Sequence, residues 1–402
     1  MASAGILQLE AVGLQNVVLT ANPQVSFFKK IYKRHSPFAI ETIEQQFNET
    51  VDFNKTVTCK VSRAADLIGG VYLHVTLPAL GIPSGSTYIG WTNAIGYALI
   101  DYVTISIGGQ EICKHYGTWM EIWEELTTEE SKRNGTLNMV GKYEILTSLQ
   151  TNAQTPSTYN IPLQFWFCRR PELFLPIVAL QHHDIEISFK FRPFQECVTY
   201  DGSVEPAEVS MTAGSLYVDY VYLSQQERDF FSQRPLMYLI DQLQFSNREQ
   251  INANSTTHST RLEFNHPVKE IQWVFVESNS VANNDHFNFS RRSDVANLMA
   301  SASMKTENLE RFFQLNESYF RQVQPLNHHT RIPLKYIYCY SFALDPEDRF
   351  SPSGSLNFSR YDNITMQFTM NTSNPETYLY IYALNYNTLV IANGMAGIGF
   401  HN

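Results

Sequence analysis

Apolar and polar residues alternate with a period of two along much of the chain, for example at 71–75 and 103–107. This alternation predicts β-strands with one buried face, because successive side chains of a strand point to opposite faces of the sheet. Stretches rich in Gly, Pro, Ser and Thr separate the strands, as at 78–96 and 195–214. The pattern therefore predicts an all-β fold with long connecting loops.

Short helices are predicted in two of the inter-strand connections. The i, i+3, i+4, i+7 spacing of one apolar helix face is found at Trp119, Ile122, Trp123 and Leu126. A second helix is predicted in the other half of the chain, from the spacing of Leu309, Phe312, Phe313, Tyr319, Phe320 and Val323. We expect both helices to be packed onto a sheet, in equivalent places.

The second half of the chain repeats the layout of the first. The matching segments are 38–47 with 238–245, 58–75 with 260–276, and 217–223 with 378–384. One long period indicates two copies of a whole domain, because solenoid repeats are only roughly 20–50 residues long. Alternating strands with long crossover loops suit a double-sheet jelly roll, so we predict two tandem jelly-roll β-sandwiches.

The predicted boundaries follow from breaks in the pattern. Residues 1–24 form an apolar N-terminal arm, 25–223 the first jelly roll, 224–235 a connector helix and 236–402 the second jelly roll. The connector begins with a capping box at Ser224 and Glu227 and ends before Pro235. A helical connector predicts a fixed angle between the two sandwiches.

Composition narrows the classes of partner. The chain has 402 residues, a formal net charge of −10 and 13% aromatic residues. An acidic chain is a poor candidate for direct nucleic-acid binding, which depends on Lys and Arg contacts with phosphates. The exception is a basic group, Lys29, Lys30, Lys33 and Arg34, which is either a solvated face or a contact for an acidic partner or anionic lipid head groups.

No catalytic, cofactor-binding or metal-ligating residues are predicted. Five scattered cysteines argue against disulfides and zinc, and nothing resembles a signal peptide or a membrane span. Adjacent strand residues face opposite ways, so neither His182-His183 nor His328-His329 should share one ion. The glycine-rich segment 394–399 is expected to be a flexible tail, since no helix follows it to bind phosphate.

Two alternatives stay open at this point. A glycan hydrolase with an acidic cleft between the domains is not excluded by motif alone, because carboxylate pairs cannot be located without a fold. Exposed aromatic loops such as 88–91 could stack on sugars, although simple loop packing is the plainer interpretation of Trp91.

The sequence resembles the major capsid proteins of nucleocytoplasmic large DNA viruses, the double jelly-roll family. The residues that carry this resemblance occur in order along almost the whole chain. They are LTANPQVSFFK (19–29), YKRH (32–35), IGGQ (107–110), KHY (114–116), Trp119, LPIVALQ (175–181), VDY (218–220), ER (227–228), FNHP (264–267), PSG (352–354), NFSR (357–360) and NYN (385–387).

The resemblance implies a structural protein of the virion. It implies a homotrimer with a pseudo-hexagonal outline that contacts neighbouring capsomers in an icosahedral shell, assembled in the host cytoplasm. It also implies minor capsid proteins and inner membrane head groups as partners at the base, where we expect the arm and the basic group. A minor or spike-associated capsid protein of the same lineage is the alternative.

Overall fold

The fold is described from a computed structural model, for residues 4–30, 32–143, 153, 155–348, 351–371 and 374–401. The ends of the predicted arm and of the second sandwich, residues 1–3 and 402, lie outside this description. The chain divides into two units, Met1–Pro37 and Phe38–Asn402. The first unit contains helices α1 (Ala4–Glu10) and α2 (Leu14–Thr20), and all of its described side chains are exposed.

The first half of the second unit is a β-sandwich of two four-stranded antiparallel sheets. Their orders are β1-β10-β3-β7 and β2-β8-β5-β6, and a short pair β4-β9 lies beside them. The strands are β1 Phe38–Gln45, β2 Thr56–Lys60, β3 Leu67–Leu77, β4 Ile89–Trp91, β5 Ile100–Ile107, β6 Gln110–Tyr116, β7 Ser157–Pro162, β8 Ile185–Phe191, β9 Val198–Tyr200 and β10 Ala213–Leu223.

The second half is another sandwich with the same topology. Its sheets follow the orders β11-β20-β14-β17, extended by β12, β18 and β21, and β13-β19-β15-β16. The strands are β11 Leu236–Phe245, β12 Glu249–Ile251, β13 Thr257–Arg261, β14 Pro267–Glu277, β15 Met299–Thr306, β16 Leu309–Asn316, β17 Ile337–Ser341, β18 Leu356–Asn357, β19 Ile364–Met370, β20 Thr377–Ala392 and β21 Met395–Ile398.

The repeat in the sequence is thus a repeat of structure. Segments 38–47 and 238–245 form the first strand of each sandwich, and in both cases this strand pairs with the last long strand, β10 or β20. The all-β, double jelly-roll prediction is confirmed. The first strand of the first sandwich begins at Phe38.

Helices lie in the connections between strands. They are α3 Ile95–Ala98, α4 Gly117–Thr127, α5 Arg133–Val140, α6 Gln225–Gln233, α7 Ser278–Ala282 and α8 Gln324–His328, with a π-helical turn at Tyr319–Val323. Single 3₁₀ turns occur at Glu130–Lys132, Trp166–Cys168, Pro171–Leu173, Ile177–Ala179, Phe194–Glu196 and Phe358–Arg360. The predicted tryptophan helix is α4, and the predicted connector is α6.

The helix predicted over 309–323 is wrong in its first half. Residues 309–316 are the edge strand β16, paired with β15, and only the later apolar residues lie in helical turns. Phe312 points inward, with its ring centroid 4.6 Å from that of Tyr340, while Leu309 and Phe313 are exposed. Pairing with β15 thus decided the structure of a segment whose apolar spacing fits a helix equally well.

Three further expectations need correction. The segment 394–399 is not a tail, because Met395–Ile398 pairs with β20. Ser224 does precede the connector helix, but in the described part of the chain its side chain makes no capping hydrogen bond. The loops 78–96 and 195–214 also contain the paired strands β4 and β9.

Gly117 starts α4 where no larger residue fits. A Cβ atom there would lie 2.2 Å from the carbonyl oxygen of Tyr97 and 2.3 Å from that of Ile100. Gly117→Ala should therefore destabilise the protein by about 1–3 kcal/mol, measured by urea unfolding with tryptophan fluorescence. The matched control is Gly135→Ala in α5, where a Cβ meets open space. The control should be neutral or stabilising, because alanine is the better helix former. Equal unfolding midpoints for the two variants would contradict this account.

Candidate assembly site: the interface between the two sandwiches

One sheet of the second sandwich is buried on both faces. In β14, Trp273 and Phe275 point into the core of the second sandwich, while Val274 and Val276 join the core of the first. Strand β20 alternates in the same way, with Ile381 in one core and Tyr382 in the other. The apolar core of the first half therefore extends without interruption into the second half.

Helix α4 lies at this junction and is buried along residues 117–126. The Trp119 indole nitrogen donates a hydrogen bond to Gln272 Oε1 on β14, at 3.1 Å. Trp119 also stacks on Trp123, with 5.5 Å between ring centroids. The apolar stripe that predicted this helix thus packs on side chains from both halves of the chain.

The polar face of α4 carries three buried carboxylates, Glu121, Glu124 and Glu125. Lys142, from the first half of the chain, contacts all three, with its Nζ atom 2.7 Å from Glu121 and 3.0 Å from Glu124. The second half contributes two more cations: Arg331 binds Glu125 at 2.7 Å, and Lys335 binds Glu121 at 2.5 Å. Three carboxylates and three cations make the cluster electrically neutral, which lowers the penalty of burying charge.

Arg331 also completes the end of α4. Its Nε atom donates to the Glu125 carbonyl oxygen at 2.9 Å, and its backbone N–H donates to that of Leu126 at 3.0 Å. The last carbonyl groups of a helix lack intrahelical partners and carry partial negative charge. A cation from the second half therefore caps a helix of the first half.

The pKa values in this cluster follow from burial and from the neighbouring charges. Burial alone would raise the pKa of Glu121, but Lys142 and Lys335 lower it to about 2. The pKa of Glu124 is instead raised, mainly by burial. Burial would lower the pKa of Lys142, and the surrounding carboxylates raise it above its usual value.

A second buried polar group lies on the same side of β14. His329 Nε2 is 2.5 Å from Glu270 Oε1, and its Nδ1 is 2.9 Å from Glu347 Oε1. Burial alone would lower the pKa of His329, but the two carboxylates raise it well above the usual range. The neighbouring His328 is half-buried and contacts the Leu344 carbonyl oxygen instead. The two adjacent histidines thus have separate partners.

Loops from both halves meet at one end of the interface around a cavity of about 1090 Å³. Asn284 Nδ2 donates to the Val198 carbonyl oxygen at 2.7 Å, and His286 Nε2 is 2.8 Å from that of Glu196. The cavity wall includes Arg192, Arg248 and Tyr380. Trp91 does not offer an exposed ring for sugars here, because it is buried and stacks on Phe53 at 5.9 Å.

At another edge of the interface, the chain end of the second half binds the first. The His182 N–H donates to the Gly394 carbonyl oxygen at 2.9 Å, and the Ala396 N–H donates to His183 Nδ1 at 3.1 Å. The connector is anchored as well, because Arg228 binds Asp66 through two hydrogen bonds of 2.8 and 3.1 Å. The two halves are therefore joined along their length by backbone, side-chain and apolar contacts.

The basic group, read from the sequence as a solvated face or a partner contact, belongs to the first unit. Lys29, Lys30, Lys33 and Arg34 are all exposed, in the unit that ends at Pro37. Among the described residues, no helix combines the length and the hydropathy needed to cross a bilayer.

Lys142→Met should leave the α4 carboxylates with two cations for three negative charges. Removing one partner from a buried ion cluster typically costs about 3–5 kcal/mol, so we expect a loss of that size in the free energy of urea unfolding. Lys132→Met is the control, since Lys132 and its partner Glu129 are both exposed and their pair contributes little. A similar small loss in both variants would show that the cluster does not depend on Lys142.

The low pKa of Glu121 makes the free energy of unfolding depend on pH in the acidic range. A carboxyl whose pKa is lowered on folding stabilises the protein fully above the unfolded value of 4.5, and this contribution is lost as the pH falls towards about 2. The slope from one such group reaches at most about 1.4 kcal/mol per pH unit. We expect Glu121→Gln to flatten the unfolding free energy between pH 4.5 and 2; an unchanged slope would contradict the assignment.

Comparisons with known proteins agree on one family. The profile described as "Major capsid protein N-terminus" matches residues 26–224, and that described as "Large eukaryotic DNA virus major capsid protein" matches residues 227–397. The chain is 37% identical to the major capsid protein of Pyramimonas orientalis virus, over 99% of both chains. It is 33% identical to the major capsid protein of Paramecium bursaria Chlorella virus 1, over the full length of both.

Solved structures give the same result. The chain superimposes on a chain of the PBCV-1 virus capsid with a TM-score of 0.82 and 31% identity, covering 94% of this chain and 100% of that one. The Faustovirus major capsid protein shares the fold, with a TM-score of 0.74 at 13% identity and coverage of 95% and 94%. These matches confirm the resemblance carried by the sequence motifs. The chain belongs to the family of major capsid proteins of large eukaryotic DNA viruses.

Proposed function

We propose that the chain is the main building block of an icosahedral virus shell and acts there as a homotrimeric capsomer with a pseudo-hexagonal outline. The observation that carries the proposal is the pair of topologically equivalent sandwiches joined by one buried interface. We expect the two joined sandwiches to act as one rigid unit, because a regular lattice needs subunits of constant shape. Catalysis has no part in this role.

Symmetry explains why a duplicated domain is useful. Three copies of a chain with two similar sandwiches supply six similar lobes around one axis, so a threefold object can occupy a sixfold position in a lattice. Closed point symmetry repeats every contact between subunits, and permanent interfaces of this kind usually bury more than about 2,000 Å². Contacts between neighbouring capsomers are expected to be weaker, so that assembly errors can be corrected.

Two edge strands offer surfaces for the contacts between subunits within the trimer. Strand β1 exposes Phe38 and Ile40, and strand β16 exposes Leu309 and Phe313. Edge strands with large exposed apolar side chains tend to pair or aggregate unless something covers them. These edges belong to different sandwiches, which suits a contact between unlike sides of adjacent subunits in a ring.

We further propose the division predicted from the sequence: an arm at 1–24, sandwiches at 25–223 and 236–402, and the connector at 224–235. The arm has the exposed apolar side chains Leu9, Leu14 and Val18, and the basic group follows it. Such a segment suits the base of the capsomer, in contact with minor capsid proteins or anionic lipid head groups. We place the assembled protein in the virion, with assembly in the host cytoplasm.

The first test is the mass of the purified chain in solution. Size-exclusion chromatography with light scattering should give a particle of three times the 46.1 kDa chain mass. Deleting residues 1–22 should leave this trimer intact but impair shell assembly, because the arm is assigned to contacts outside the trimer. Loss of the trimer on deletion would contradict that assignment.

A matched variant separates the arm from the basic group. Replacing Lys29, Lys30, Lys33 and Arg34 by glutamine removes the charge and keeps the apolar arm. We expect trimers that bind anionic vesicles less than the unmodified chain does.

The copy number of the chain in purified particles distinguishes the main shell protein from a minor or spike-associated protein, since only the former would be the most abundant shell component.

A further inference from the structure

Three side chains that can bind a metal lie close together on the face of β14 that is turned towards the first sandwich. They are Glu270, His329 and Cys339, and each offers one ligand atom within 4.8 Å of the other two. Glu270 and Cys339 lie on the paired strands β14 and β17, where Glu270 is opposite Ser341 and Gln272 is opposite Cys339. Both side chains therefore lie on the same face of the sheet, and His329 reaches them from the segment after α8. Two of the three candidate ligands thus stand on rigid strands.

Two of the candidate ligands, His329 and Glu270, are also held by further partners. His329 Nδ1 contacts Glu347 at 2.9 Å, which directs Nε2 towards Glu270 and Cys339. Glu347 is itself fixed by the Thr330 N–H at 2.8 Å. Gln272 Nε2 donates to the second oxygen of Glu270 at 2.9 Å. A carboxylate that orients a histidine through its other nitrogen is the usual arrangement around protein-bound zinc.

The local backbone supplies one more oxygen. The Phe320 carbonyl oxygen is 3.8 Å from Cys339 Sγ. This residue is in the π-helical turn, where the Gln324 N–H bonds to Tyr319 instead, and position 325 is a proline without an N–H. The two donors that a helix normally offers to this carbonyl are therefore used elsewhere or missing. Such π-turns occur frequently at functional sites.

We propose that Glu270, His329 and Cys339 form a binding site for a divalent zinc-class cation. The ligand set combines a thiolate, an imidazole and a carboxylate, which suits Zn²⁺ and disfavours the oxygen-seeking Mg²⁺ and Ca²⁺. The site is new relative to the sequence, which predicted no metal, and it does not depend on the proposed role in the shell.

Geometry requires only a local adjustment. Tetrahedral zinc with Zn–N and Zn–O bonds of about 2.1 Å separates a nitrogen and an oxygen ligand by about 3.4 Å. Glu270 Oε1 and His329 Nε2 are 2.5 Å apart, so the two groups must move apart by about 1 Å. One divalent cation takes the place of the imidazole and thiol protons, and the buried charge is unchanged.

The carboxylates of α4 provide a useful contrast. Glu121, Glu124 and Glu125 also lie close enough to share a cation. Lys142 contacts all three, and Arg331 and Lys335 add two more positive charges. A metal at α4 would have to displace these cations and would find no nitrogen or sulfur ligand among the three. The Glu270, His329 and Cys339 group has the softer ligands that α4 lacks.

The role of such an ion follows from its position. The site is buried, so it would act on stability rather than on a substrate. It would connect β14 and β17 with the segment that carries Arg331, two residues beyond His329. That segment caps α4 and contributes a cation to its carboxylates. A bound ion would therefore reinforce the interface between the sandwiches.

The test uses the full chain, stripped with a chelator and reloaded with Zn²⁺ or Co²⁺. We expect about one equivalent of metal per chain after gel filtration and, with Co²⁺, a thiolate-to-metal charge-transfer band in the near ultraviolet. Cys339→Ser should lose the band and most of the bound metal. Cys197→Ser, which changes another buried cysteine outside the site, should retain both. Glu347→Gln should weaken binding roughly 10-fold to 100-fold, since it disturbs only the partner of His329.

Three results would overturn the proposal. They are folded wild-type chain without stoichiometric zinc, Co²⁺ binding without a thiolate band, and undiminished binding by Cys339→Ser. The spectrum of the wild-type chain decides the question even if the serine variant fails to fold. Circular dichroism on every sample separates loss of metal from loss of structure.

Discussion

Burial of both faces of one sheet is the constraint on which the rest of the structure depends. A sheet at the surface of a sandwich needs only one apolar face, but β14 and β20 present apolar side chains on both. The outer face is covered by the first sandwich and by α4. Because apolar side chains are stabilised by removal from water, separating the two sandwiches would expose Val274, Val276 and Tyr382 together. The pairing of the sandwiches is thus part of folding itself.

Polar groups set the geometry within this apolar junction. Apolar contacts are not directional, whereas buried carboxylates need partners at defined distances. Lys142, Arg331 and Lys335 meet the glutamates of α4 from different parts of the chain. The hydrogen bond from Trp119 to Gln272 adds another fixed contact between the halves. These contacts join the two halves in addition to the helical connector, which Arg228 anchors on Asp66.

Much of the fold could be predicted from the sequence, because strands and duplication leave local signals. The alternation at 71–75 and 103–107, the helix at 119–126 and the repeat of whole segments all have their counterparts in the structure. The helix predicted from Leu309 onward failed because local spacing does not reveal which strand will pair with a segment. The apolar run Trp273–Val276 in β14 breaks the alternation and is a local signal of burial on both faces.

The candidate site was beyond the sequence for a different reason. Its members lie far apart in the chain, as with Glu121, Lys142 and Lys335, and only the fold brings them together. The adjacent histidines 328 and 329 do not act as a pair. Only the His329 side chain is fully buried, beside Glu270 and Cys339, which are distant from it in the sequence. From the sequence alone, the glutamates of α4 have the spacing of a solvated helix face. Only the fold brings the cations Lys142, Arg331 and Lys335 to them.

The mixed origin of the α4 cluster has an evolutionary consequence. After duplication, two identical domains can in principle be exchanged, recombined or lost, since each folds alone. Here the amino-terminal copy contributes three acids and one base, and its neighbour contributes two bases. Loss of a carboxylate at Glu121, Glu124 or Glu125 would leave a buried cation of the other copy short of a partner, so each copy constrains which substitutions the other can accept.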